Sequence, residues 1–380
     1  MKRHFTYIAF GLCLLTSLFS CDKDPGIDDN FLNYKIEKIP ATKDYTLGAF
    51  YINYGNFNPA ILEVPSVGKY NFTNGVPAPA VMASHIQQAA KAKINYFIFS
   101  LRSANGNLSS YTQDSLLVRS FLNAPGGGDM HFALSYNLNI GSSTAAGQLP
   151  ITNTAPIENF PSYLEGFYKD FERMTNFFKL PNYQKVNDKP LIIITPAQNL
   201  SSKDNPALYA ELRRRVKAKG FDLYIVGMQD RWSPPQRFYF RFEKCVDAMY
   251  ESKMVDTGDS PDRVYLFPQL VDQNWQYWKS YLKGVNIDFI PSISPGFNYT
   301  ILNPSSKNLP LGRNAGGASE DEKANFYRDF CNIAKKSAPD NGLIFIDSFN
   351  EWRVDSQIES AESYGDLYLD VTRQEFKLNP

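Results

Sequence analysis

The sequence predicts an α/β protein of the (β/α)8 TIM-barrel class, a single domain with long βα loops. Two observations lead there. Eight short apolar or β-branched runs alternate with longer amphipathic stretches, the pattern of parallel strands covered by helices. A doubly wound open sheet, the competing arrangement, ordinarily carries a glycine-rich phosphate turn after its first strand, and none stands there. Gly126-Gly127-Gly128 precedes a strand instead of following one and reads as a loop between helix and strand.

Composition narrows the function. The chain has 380 residues, with 39 Lys+Arg against 39 Asp+Glu and 14% aromatic residues. Without its first twenty residues, which hold Lys2 and Arg3, the balance is 37 basic to 39 acidic. Such neutrality leaves no electrostatic footprint for nucleic acid. Histidine occurs only at His4, His85 and His131, which excludes a histidine-rich metal site. No metal or cofactor is expected.

The first element is a leader. Met1-Lys2-Arg3 is a short basic region, and 5–19 is an apolar run too short for a comfortable membrane span. It ends at Leu18-Phe19-Ser20-Cys21, which resembles the lipobox of bacterial lipoproteins and implies lipidation of Cys21. Residues 1–20 are thus expected to be a signal peptide. Residues 21–40, with Asp22, Asp24, Asp28 and Asp29, form an acidic tether similar to the surface-export signals of Bacteroidetes lipoproteins. The implied location is the cell envelope, with the lipid in the outer membrane. After Cys21 only Cys245 and Cys331 remain, read as two buried free thiols over the one disulfide they could form.

The barrel is expected over 41–380. Its strands are predicted at 47–53, 95–101, 131–137, 191–195, 222–227, 245–250, 287–293 and 343–348. Helices are predicted at 80–93, 110–122, 161–178, 206–219, 275–283 and 320–336, with Gly220 as a C-terminal stop.

Barrel chemistry sits at the C-terminal ends of the strands and in the loops that follow. Those positions hold Tyr54, Arg102, Tyr136, Asn137, Asp230, Trp232, Tyr250, Glu251, Asn350, Glu351 and Trp352. Aromatic faces, amides and a few carboxylates suit a saccharide, which presents apolar C–H faces and a rim of hydroxyls. They do not suit phosphate.

The strongest local signal is Ile344-Phe345-Ile346-Asp347-Ser348-Phe349-Asn350-Glu351-Trp352, an apolar strand ending abruptly in amide, carboxylate and indole. With Gln357-Ile358-Glu359, Tyr364-Gly365 and Tyr368-Leu369 downstream, it resembles the signature of glycoside hydrolase families 99 and 71, which include endo-α-mannosidases on (β/α)8 barrels. Asn187-Asp188-Lys189-Pro190 and Ser294-Pro295-Gly296-Phe297 resemble that group's turns more weakly. The resemblance implies a glycan-processing enzyme in which Glu351 is the base, deprotonating the sugar's 2-hydroxyl, and Gln357 and Glu359 belong to the substrate site.

One departure matters. The group's pattern places a second glutamate, the general acid, three residues after the first, where this chain has Val354. Valine transfers no proton, and glycoside hydrolysis ordinarily uses two carboxyl groups. The acid must then come from Asp355, Glu251, Asp230 or Glu359. The expectation is an exported glycoside hydrolase acting on an α-mannan or similar glycan. The alternative is a catalytically silent carbohydrate-binding lipoprotein on the same barrel.

Overall fold

The computed structural model describes residues 34–53, 61–105, 108–138, 155–229, 234–252, 260–313 and 320–379. Residues 37–380 form one compact unit, which holds every element discussed below.

The staves are β1 (Thr46–Tyr51), β2 (Tyr96–Arg102), β3 (His131–Asn137), β4 (Lys189–Thr195), β5 (Tyr224–Gln229), β6 (Ala248–Glu251), β7 (Asp288–Ile290), β8 (Ser292–Ile293) and β9 (Leu343–Ile346). Neighbours pair in parallel from β7 back through β1, then β1 with β9 and β9 with β8. Between β7 and β8 lies Pro291, which has no N–H for a ladder bond. Phe345 N donates to Pro291 O at 2.9 Å, so β7 and β8 are two halves of one stave and the barrel closes. The eight predicted strands are these eight staves, a TIM barrel.

The outer layer is α1 (Pro79–Lys91), α2 (Leu108–Asn123), α3 (Pro161–Phe178), α4 (Asn205–Lys217), α5 (Tyr239–Phe242), α6 (Pro261–Tyr265), α7 (Phe267–Gly284), α8 (Glu320–Ser337) and α9 (Leu367–Phe376). Every predicted helix is present. That predicted at 275–283 starts earlier, at Phe267, because Pro268 suits a first turn and Phe267 and Val271 are buried. The turn at Asn187 and Asp188 has both residues at positive φ, 49° and 64°, a conformation that Asn and Asp tolerate and that a tight hairpin requires.

Side chains alternate across each stave, and this sorts them into two cores. Ile98, Ala133, Ile193, Val226, Tyr250, Ile290 and Phe345 fill the lumen. Tyr51, Phe97, Phe99 and Phe132 lie under the helices, fully buried. Gly48 leaves room for the Tyr96 ring, which would stand 2.4 Å from a Cβ at that position. Both cysteines of this unit are buried free thiols, and burial pushes the Cys245 thiol up to about 12. Among the described residues no helix is long and apolar enough to cross a membrane, and no cluster of His, Cys, Asp or Glu could hold a metal ion.

α9 packs on α8 through Tyr327 and Thr372, whose hydroxyls meet at 3.0 Å, and through Glu375, which accepts from Arg328 at 2.9 Å and from Lys335 at 2.7 Å. Asp329 on the same face is pushed up to about 6, first by burial and then by the Glu375 charge. A carboxyl raised on folding disfavours the charged folded state, so its penalty is absent below about pH 4, grows through pH 6 and is complete above it. Asp329→Asn should therefore raise the melting temperature near pH 8, by about 2 °C for a partly screened effect on the order of 1 kcal/mol. At pH 4 differential scanning calorimetry should find the two proteins alike.

Candidate active site

The lumen-facing residues at the C-terminal ends of the staves form the floor of a mouth. They include Phe50, Ser135, Asn137, Thr195, Met228, Tyr250 and Asp347. Ser135 and Thr195 join hydroxyls at 2.9 Å across β3 and β4. The Tyr250 ring stands 5.7 Å from Phe50 and 5.3 Å from Phe345. Its hydroxyl is pushed up by burial and then by the charge of Asp347.

The rim is built by the segment after β9. Asp347 N donates to Ile293 O at 2.9 Å, continuing the ladder one residue beyond the strand. Phe349 N then donates to Phe50 O at 2.9 Å. The Asn350 amide grips β1's exit from both sides, accepting from Ile52 N at 2.7 Å and donating to Ile52 O at 3.1 Å. The chain turns back, so that Ser356 N reaches Glu351 O at 3.1 Å and Glu359 N reaches Phe349 O at 2.9 Å.

Glu351 sits at the apex of this turn. Its N–H donates to Ser348 Oγ at 3.0 Å. Its carboxylate is held by Arg353 in a bidentate pair, Nε to Oε1 at 2.9 Å and Nη2 to Oε2 at 2.7 Å, and also accepts Arg353 N at 3.1 Å. The Glu351 side chain is 7% exposed and that of Arg353 34%, so the pair borders solvent. Bidentate charge-assisted pairs fix orientation as well as charge.

Two buried networks hold the turn from below. Glu359, fully buried, accepts from Tyr70 Oη at 2.7 Å, Trp352 Nε1 at 2.8 Å and His85 Nε2 at 2.8 Å, while His85 Nδ1 meets Tyr51 Oη at 2.7 Å. On the other side, buried Arg313 donates to Gln357 O at 2.9 Å, Asp355 O at 2.8 Å and Asp355 Oδ1 at 3.2 Å, and lies over the rings of Tyr364 and Tyr368. Burial is the largest influence and opposes the Arg313 charge; the Asp355 carboxylate and the other groups around it together outweigh that, leaving the guanidinium above its ordinary value. Gln357 Nε2 also donates to Asp355 Oδ1 at 2.8 Å. Asp355 takes a positive φ of 52° to reach this position.

These contacts reassign much of the predicted site. Tyr136 points away from the lumen, its hydroxyl 2.9 Å from Asp170 of α3. Glu251 also faces outward, because Tyr250 beside it faces in; fully buried, it accepts Trp275 Nε1 of α7 at 2.9 Å and leaves the list of acids. Arg102 turns back onto Asp114 of α2, at 2.7 and 2.8 Å, not toward Glu351. Asp355, Gln357 and Glu359 are occupied in the two networks. The Asn350 amide, next to Glu351 in sequence, is engaged by the Ile52 backbone and does not orient the carboxylate. Trp352 is 1% exposed and locks the turn through Glu359, so it is no open sugar platform. Asn137, Tyr250 and Glu351 remain at the mouth. Tyr54, Asp230, Trp232 and Cys21 lie outside the described residues. Sequence reading missed Asp347, two positions past lumen-facing Phe345, although the two-residue period points to it; of the two arginines the sequence offers as ion-pair partners for Glu351, Arg353 and Arg102, the structure selects Arg353.

A family described as "Glycosyltransferase WbsX" matches residues 163–372, more than half of the chain, and the chain belongs to that family. A solved structure titled "Glycoside hydrolase-like protein" is 30% identical, with a TM-score of 0.79 over 92% of this chain and 99% of that one. The GH99 endo-alpha-mannosidase from Bacteroides thetaiotaomicron shares the fold at 20% identity, TM-score 0.57, over 88% and 97% of the two chains. The glycoprotein endo-alpha-1,2-mannosidase of Mus musculus is 34% identical over 101 residues, 26% of this chain and 20% of that protein. The chain thus matches about a fifth of the length of that curated relative. The barrel is of the glycoside hydrolase 71/99-like kind, as the signature implied.

The Trp352 assignment can be checked by melting. Trp352→Ala should cost about 3 to 5 kcal/mol, the size expected for deleting a large buried ring. Trp352→Phe keeps most of the volume but removes one donor from a buried carboxylate, and should cost about 1 to 3 kcal/mol.

Proposed function

We propose that the protein is an exported glycoside hydrolase that cleaves an α-mannan or similar glycan, anchored to the outer membrane through a lipid on Cys21. The observation that carries the catalytic part is Glu351, a carboxylate presented at the tip of the eighth stave and oriented by Arg353. Barrel enzymes place catalytic groups there. The relatives, an endo-α-mannosidase and a glycoside hydrolase-like protein among them, support the substrate class. The family name speaks of glycosyl transfer, which breaks the same kind of bond with a different acceptor. Hydrolysis is preferred because the named relatives are glycoside hydrolases and because Arg353, the cation beside Glu351, is already engaged by that carboxylate.

Incubating the purified protein with a panel of mannans and measuring released oligosaccharides is the direct experiment. Glu351→Gln should lower product release by about 10²- to 10⁴-fold or more while leaving the protein folded, since the shape is kept and the base removed. Full activity in Glu351→Gln would end the mechanism.

A second reading, a glycan-binding protein without turnover, is favoured by Val354, which is 6% exposed and apolar where the related pattern has its acid. Retained mannan affinity with no product from wild type would select it. For the anchor, wild type expressed in a diderm bacterium should fractionate with membranes and Cys21→Ala should appear in the soluble fraction. Equal partition of both would remove the lipid from the proposal.

A further inference from the structure

We propose that Asp347 is the proton donor of this site, the second carboxyl group that Val354 does not supply; the inference rests on the hydrolase reading above. Cleavage of a glycoside with two carboxyl groups needs one to protonate the leaving oxygen and one to accept a proton from the attacking hydroxyl. Glu351 fills the second role. Of the other carboxylates expected for the first, Asp230 lies outside the described residues, Glu251 lies outside the lumen under α7, and Asp355 and Glu359 are held in the buried networks.

Asp347 is placed differently. Leu343 and Phe345 of β9 lie in the lumen, and alternation puts Asp347 on the same face. The bond from Asp347 N to Ile293 O, 2.9 Å, ties that residue to the neighbouring stave one position beyond the end of β9. Phe345 below it is fully buried, whereas Asp347 is half-buried, so it stands where the packed lumen gives way to the mouth. Tyr250 faces it from β6, close enough for the Asp347 charge to act on its hydroxyl. Among the described residues, Asp347 is the one carboxylate on the lumen face of the staves' C-terminal ends, and it precedes Glu351 by a single turn of chain.

The step balances. An attacking hydroxyl, water's or the sugar's own, bonds to the anomeric carbon as Glu351 takes its proton. The bond from that carbon to the leaving oxygen breaks, its electron pair stays with the oxygen, and the oxygen takes the proton of Asp347. Over the full cycle one water is consumed, and exchange with solvent restores both carboxyl groups.

The experiment compares wild type, Asp347→Asn and Glu351→Gln on α-mannan and on α-mannobiosyl fluoride, whose fluoride leaves without protonation. Asp347→Asn should lose about 10²- to 10⁴-fold on mannan and less than about tenfold on the fluoride, the signature of a missing acid. Glu351→Gln should fall on both. If melting shows Asp347→Asn unfolded, Asp347→Ser carries the same comparison. Wild-type turnover of mannan by the folded Asp347 variant, or equal losses on both substrates, would overturn the inference alone. A wild type inert on mannan and fluoride alike would overturn the hydrolase reading and the inference with it.

Discussion

A buried carboxylate must be matched donor for donor, because removing its charge from water costs several kcal/mol that only close hydrogen bonds offset. Glu359 meets that demand with Tyr70, His85 and Trp352, and the match fixes the rest of the site. His85 comes from α1 and Tyr70 from the segment before it, so satisfying Glu359 pins the turn after β9 to the helical layer. Trp352 is thereby immobilised one residue after Glu351. Arg313 does the same from the opposite side with the opposite charge, drawn in by Asp355 and two backbone carbonyls. The catalytic candidate is thus held between two buried ionic anchors, neither of which needs to touch a substrate. Much of the sequence signature around it, Gln357 and Glu359 above all, is scaffold by this account.

The barrel was legible in the sequence because its signal is local. Each stave is an apolar run bounded by turn residues, and each helix an amphipathic stretch, so 131–137 and 161–178 were read to the residue. The site was legible only in part, for a geometric reason. Proximity to a strand end says that a residue is near the mouth, while the two-residue period says which side of the wall it is on. Tyr136 and Glu251 pass the first test and fail the second. Asp347 passes both, two positions beyond Phe345. Partners that arrive from distant elements left no trace in the local pattern: nothing near Glu359 announces Tyr70 or His85, and nothing near Asp355 announces Arg313.

Val354 and Arg353 are best understood together. Val354 is buried and its carbonyl accepts Asn298 N at 2.7 Å, so the backbone there is tied to the loop after β8. A carboxylate at this position would enter an apolar setting between Glu351 and Asp355, where like charges repel and burial adds its own penalty. This chain instead places an arginine beside Glu351 and a valine beyond it, so that one carboxylate is balanced by one cation and the next position packs. Local charge is conserved at the turn, and with it the orientation of Glu351. What the arrangement gives up is a second carboxyl group at the 354 position beside Glu351, and a residue on the lumen wall, where the staves converge on the same mouth, is placed to restore it.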